Sequence, residues 1–201
     1  MSWEVLYNPF RRLSPGVTLV LGVVVVLALA LLASQGGAHM DGALDIHLGA
    51  GATLPVTLME SGLAWLVLAL AFWAAGAMLS REGRNPLPYF ATTALARVAY
   101  IPAVLITSQQ VMGRWLNRLV EVWPDGSMLL HPEAAMNPAF LGLSLLALVF
   151  IAWYIVLLVF AFKESSKLSG GRAAGGIVGA LVVAEAISAI VIRLLAKAML
   201  A

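Results

Sequence analysis

The stretch RNPLPYFATTALARVAYIPAVLI, residues 84–106, decides the fold. Its core, residues 89–106, is apolar enough to cross a bilayer, yet it carries Arg97 and Pro102. A charged side chain at a bilayer centre costs roughly 2.5–3.5 kcal/mol on insertion scales. Proline removes a helix hydrogen bond, so a kink is expected at Pro102. Arg97 needs a partner, and the only acidic residue deep in another apolar run is Glu185. The stretch reads as the third helix of an all-α bundle embedded in a membrane.

Composition agrees. The chain is 62% hydrophobic and only 11% charged, against about 25% charged in average soluble chains. Its 201 residues leave room for one domain. The net charge of +2, with no basic block interleaved with aromatics, excludes a nucleic-acid partner. Cysteine is absent, which excludes disulfides, thiol catalysis and Cys-ligated metals.

Working back from the stretch, SREGRNP (80–86) is a tight basic turn. The run before it predicts a second membrane helix over about 56–79, opened by Pro55 and carrying Glu60 near its start. Residues 34–54 form a Gly-rich loop without Lys or Arg. A first helix is predicted over about 17–34, behind a head of residues 1–16 that holds Arg11 and Arg12. Such a run could also mark a signal peptide. It exceeds the ~7–15 residues of an h-region, and the chain stays membrane-like afterwards, so its retention is expected.

Working forward, the third helix itself is placed at about 88–110. In residues 111–123, Val111, Trp115, Leu119 and Val122 recur at helical spacing opposite Arg114, Asn117, Arg118 and Glu121. That pattern predicts an amphipathic helix in the headgroup layer, or else an extension of the third helix. Asn137-Pro138 opens a fourth helix, about 138–162. KESSKLSGGR (163–172) is a second short basic loop, and a fifth helix is predicted over about 173–196. Gly171, Gly175 and Gly179 recur every four residues along its start, and Gly176, Ala180, Ala184 and Ser188 repeat the interval on a neighbouring line. Small-xxx-small tracks let helices approach closely in lipid. A packing seam through Gly171, Gly175, Gly179 and Ala184 is expected, inside the protein or between copies.

The head and the two basic loops hold seven cations: Arg11, Arg12, Arg81, Arg84, Lys163, Lys167 and Arg172. The opposite ends hold four: Arg114, Arg118, Arg193 and Lys197. Positive-inside then predicts five spans with the N-terminus in and the C-terminus out. Helices three and five run the same way under that topology. At ~1.5 Å per residue, Arg97 and Glu185 lie roughly 14 and 18 Å deep, so an intramembrane pair and neighbouring helices three and five are expected.

The order of these features resembles the Yip family, the Ypt/Rab-interacting membrane proteins. The likeness rests on the Asn8-Pro9 head, the short turn between helices two and three, and Ala99-Tyr100-Ile101-Pro102. It continues through Ala152-Trp153-Tyr154, Phe162-Lys163-Glu164 and Ser169 into a small-residue fifth helix, and so covers nearly the whole chain. The resemblance implies a five-helix membrane fold and other membrane proteins as partners. Eukaryotic relatives act on Rab GTPases through a long cytosolic N-terminal region. With about sixteen residues before the first run, that activity is not expected here. Short prokaryotic members are the closer match, which implies a prokaryotic cell (inner) membrane.

No HExxH, GxSxG or P-loop is present, so no enzyme is expected and no cofactor. The near-palindrome HMDGALDIH sets His39, Asp41, Asp45 and His47 close together. Imidazole with carboxylate can hold a divalent ion. In a Gly-rich loop, the expectation is a solvated segment without metal. The leading functional expectation is a non-enzymatic scaffold in contact with lipid, other membrane proteins or itself. The alternative is a small transport or channel subunit using Arg97 and Glu185, and an intramembrane enzyme using Glu185 is weaker still.

Overall fold

Five helices long and apolar enough to cross a membrane form the bundle. The computed structural model describes residues 4–49, 51–109, 112–115 and 138–200. The spans are Pro15–Gly36, Leu54–Leu79, Leu87–Thr107, Pro138–Ser166 and a fifth within the helix Gly170–Leu200. Local chemistry sets their ends. Ser14 is extended ahead of Pro15, and its side chain accepts from the Val17 amide at 3.5 Å. Pro15 loses nothing there, since first-turn amides have no partner inside the helix. Gly37 closes the first span in the left-handed region at φ 66°, where a glycine escapes the Cβ clash. The fourth and fifth spans extend beyond their apolar runs to include Lys163, Glu164, Gly171 and Arg172.

The third span is interrupted. Leu87–Ala96 is α-helical, Arg97–Ala99 tightens to a 3-10 turn, and Tyr100–Thr107 resumes the α-helix. Pro102 has no amide hydrogen to give the carbonyl four residues back, and its ring crowds that carbonyl. The regular ladder yields just before it, in the segment that holds Arg97.

This span is the axis of the molecule: 56% of its residues are buried, against 33% or less in the other four. The first span lies along it, with Gly22 against Ala94 and Leu95, and Gly36 against Ser108. The fourth packs beside it too. Tyr100 and Tyr154 bring their rings to 4.1 Å, and Thr92 Oγ1 meets Ser165 Oγ at 3.2 Å. Phe162 makes edge contacts with Phe72 of the second span at 5.3 Å and with Tyr89 at 6.2 Å. The second span carries the fifth, which makes no comparable contact with the third. Val20, Leu145 and Val182 are among the large apolar side chains left on the periphery, the arrangement a lipid solvent favours.

The head, the basic turn and the loop between the fourth and fifth spans meet at one end. Asn8 Nδ2 and Arg11 Nε donate to Glu164 Oε1 at 2.9 and 2.8 Å, and Trp153 Nε1 donates to the Leu6 carbonyl at 2.7 Å. Arg11, Glu82, Glu164 and Lys167 line a cavity of about 480 Å³ there. In the segment expected to be an interfacial helix, residues 112–115 are helical, and the Trp115 ring lies 6.3 Å from Phe140. The remaining residues of that segment, and His131, lie outside the described residues.

Candidate functional site

The connection between the first and second spans is a short hairpin. Ala38–His39 pairs antiparallel with His47–Leu48, setting Ala38 opposite Leu48 and His39 opposite His47. It is a folded plug, not the solvated loop that its glycines and polar residues suggest. Ala38, Met40 and Ala43 are buried. Its polar backbone is satisfied from four spans. The hydroxyls of Tyr100 and Tyr154 donate to the Ala43 carbonyl at 3.4 and 3.3 Å. The Leu44 amide donates to Glu185 Oε2 at 3.0 Å, and the Met40 amide to Glu60 Oε2 at 3.3 Å. Glu60 Oε1 lies 2.9 Å from His39 Nδ1. Gly42 is in close contact with the Glu185 carboxylate and Asp45, so a side chain there would collide with both.

Glu185 is thus committed to the plug. Arg97 is fully buried, and its three guanidinium nitrogens have no hydrogen-bond partner among the described residues. No ion pair joins the two among the described residues, and helices three and five are not packed neighbours. Glu185 and the Tyr100 and Tyr154 hydroxyls nevertheless meet on adjacent residues of the plug, at Leu44 and Ala43. The plug stands where direct pairing was expected: the Leu44 amide occupies Glu185 Oε2, and helix five leans on helix two.

Three side chains of the hairpin converge. Ligand atoms of Asp41, Asp45 and His47 lie within 4.8 Å of one another. His47 Nδ1 is 3.4 Å from Asp41 Oδ1 and 3.6 Å from Asp45 Oδ2. The His39 ring stacks on His47 with centroids 5.4 Å apart. Partial burial and the Asp41 carboxylate raise the Asp45 carboxyl above its usual range, against an opposing pull from His47.

The family model for the Yip1 domain matches residues 3–192. The chain belongs to the Yip1 domain family. No curated protein and no solved structure matches it. The Yip1 domain match covers all five spans, the hairpin and the head, so the plug is part of the domain itself.

Within this Yip1 domain the two small-residue tracks separate. Gly176 packs on Phe162 and Leu79, and Ala180, Ala184 and Ser188 are buried. Among the described residues, nothing lies within 4 Å of the position a Cβ would take at Gly171, Gly175 or Gly179. They line an apolar groove of about 540 Å³ between the second and fifth spans, with Ala71, Ala75 and Met78 on the facing wall and Arg172 at its end. The sequence shows all of these glycines but not their phase, and it does not mark Tyr100 or Tyr154 as anchors of the plug. Glu60 alone left a signal, as an acidic residue just inside an apolar run that follows two histidines.

Proposed function

We propose that this Yip1-domain protein is a non-enzymatic organiser of other membrane proteins, and that the glycine face of its fifth span is where a partner helix docks. The observation that carries this reading is the open track Gly171, Gly175 and Gly179 beside an apolar groove. A helix with small residues can seat there at short backbone distance, where dispersion and weak backbone contacts hold transmembrane helices together. The buried polar groups mostly serve the fold: Glu60, Glu185 and both core tyrosines bind backbone atoms of the plug.

The natural chain has no cysteine, so a single introduced thiol reports on one position. Gly179→Cys, crosslinked in native membranes, is expected to give a discrete protein adduct identifiable by mass spectrometry. Gly179→Leu is expected to abolish co-purification of that same protein while leaving the fold intact. Adducts with lipid alone would refute the docking reading.

A second reading, a small transport or channel subunit, is favoured by the unpartnered guanidinium of Arg97 inside the bundle. Buried ionisable groups in membrane helices often mark ion or substrate paths. Flux through proteoliposomes of the purified protein, lost in Arg97→Met, would move the assignment to this reading.

A further inference from the structure

We propose that Asp41, Asp45 and His47 form a site for one divalent transition-metal ion of the Zn²⁺ class. The site stands apart from the proposed docking face and does not depend on it. The geometry comes first. Zn–N and Zn–O bonds of about 2.0–2.2 Å at tetrahedral angles set neighbouring ligand atoms about 3.4 Å apart. His47 Nδ1 lies 3.4 Å from Asp41 Oδ1 and 3.6 Å from Asp45 Oδ2. The widest separation in the set, within 4.8 Å, closes with a side-chain rotation at exposed Asp45 or His47.

The second observation is the state of Asp41. Its Oδ1 is shielded from solvent and receives no hydrogen bond among the described residues, with the His47 ring nitrogen 3.4 Å away as its ion-pair neighbour. A shielded carboxylate oxygen without a hydrogen-bond donor is unfavourable, and here, on a side chain about a quarter exposed, it faces a ring nitrogen and a second carboxylate. A divalent ion between them satisfies all three and balances two negative charges. It leaves a fourth position for water.

The frame is already built. The backbone between the two aspartates is held by the Tyr100 and Tyr154 hydroxyls on the Ala43 carbonyl and by Glu185 on the Leu44 amide. His47 is paired with His39 across the hairpin and stacked on it, and Glu60 fixes the His39 ring. Ligands held on both sides by the fold lose little freedom on binding. The chemistry of the donors selects the ion: imidazole with carboxylates suits Zn²⁺ and its neighbours, whereas Mg²⁺ and Ca²⁺ favour all-oxygen sets.

The test uses the full chain without a polyhistidine tag, purified in detergent and stripped with a chelator. Zn²⁺ titrated calorimetrically is expected to bind at one ion per chain, and Co²⁺ to give visible absorption bands of a low-symmetry site. His47→Ala, Asp41→Asn and Asp45→Asn are each expected to weaken Zn²⁺ by at least about tenfold, since even supporting partners of metal ligands contribute 10–100-fold. The two Asn variants keep the shape of the hairpin. Thermal unfolding with and without metal is the second measurement: Zn²⁺ raises the midpoint of the natural chain and leaves that of the triple variant unmoved. Absence of binding, equal affinity in the triple variant, or Mg²⁺ bound as tightly as Zn²⁺ would overturn the proposal.

Discussion

Replacing Gly22 by alanine adds one carbon where the first and third spans meet. That Cβ would lie 2.5 Å from Ala94 Cβ, 2.7 Å from the Leu95 amide nitrogen and 3.0 Å from the Ala94 carbonyl carbon. Carbon atoms rest at about 3.5–4.0 Å, so the two helices must part locally by about 1 Å. The obstacles are backbone and a Cβ, neither of which can rotate aside. Overpacking of this kind costs roughly 1–3 kcal/mol. Against it stands the helix-propensity gain of alanine over glycine, up to about 1 kcal/mol. Gly175→Ala makes the same chemical change at a position with nothing within 4 Å. The propensity gain is then common to both variants, and their difference in stability isolates the packing cost, about 1–3 kcal/mol. Equilibrium unfolding in mixed micelles, followed by far-ultraviolet circular dichroism, measures each. Gly22→Ala is expected to fall below the natural chain and Gly175→Ala to match or exceed it. A Gly22→Ala variant as stable as the natural chain or more so would refute the packing of the first span on the third at Gly22. A loss at Gly175 as large as at Gly22 would show that the glycine track is filled by the chain's own atoms.

The other predictions concern the polar interior and the orientation. Arg97→Met is expected to stabilise the isolated protein, by about 1–4 kcal/mol, because it removes a buried charge that has no partner. A strong loss in the same unfolding assay would mean that the guanidinium is paired. Tyr100→Phe and Tyr154→Phe should each cost only about 0.5–1.5 kcal/mol while the other hydroxyl still reaches the Ala43 carbonyl. The double variant should exceed their sum, with faster hydrogen exchange across the hairpin, and simple additivity would count against a shared acceptor. Reporter fusions at Gly83 and Ser169 are expected to read cytoplasmic, and a fusion at Gly42 external, from the seven-to-four distribution of cations. A cytoplasmic signal at Gly42 would reverse the assigned topology.

The five spans were legible because length and apolarity are sufficient signals for membrane helices. The interruption around Arg97 was legible only as a kink at Pro102. The 3-10 turn falls earlier, at Arg97–Ala99, because a proline disturbs the carbonyls behind it. The Arg97–Glu185 pairing rested on depth alone. Equal depth fixes neither which helices are neighbours nor which way a side chain points, and helix five proved to lean on helix two. The hairpin was the least legible part. Its glycines and polar residues read as solvated because every group that buries it, Glu60, Tyr100, Tyr154 and Glu185, lies in a different span. The phase of the small-residue tracks was hidden for a related reason. Gly175 and Gly176 are adjacent in sequence but point about 100° apart on a helix, and only packing shows which side is inside.

The anchoring of the plug also orders the birth of the molecule. The donors to the Ala43 carbonyl are 57 and 111 residues further along the chain, and the acceptor for the Leu44 amide is 141 residues further. At about 5–20 residues per second of translation, that last partner emerges roughly 7–28 s after the hairpin. Through that interval the hairpin lacks the partners that bury its backbone, which stays hydrated. It can seat fully only when the fifth span arrives, so a segment that leaves the ribosome ahead of four of the five spans is among the last to reach its native place.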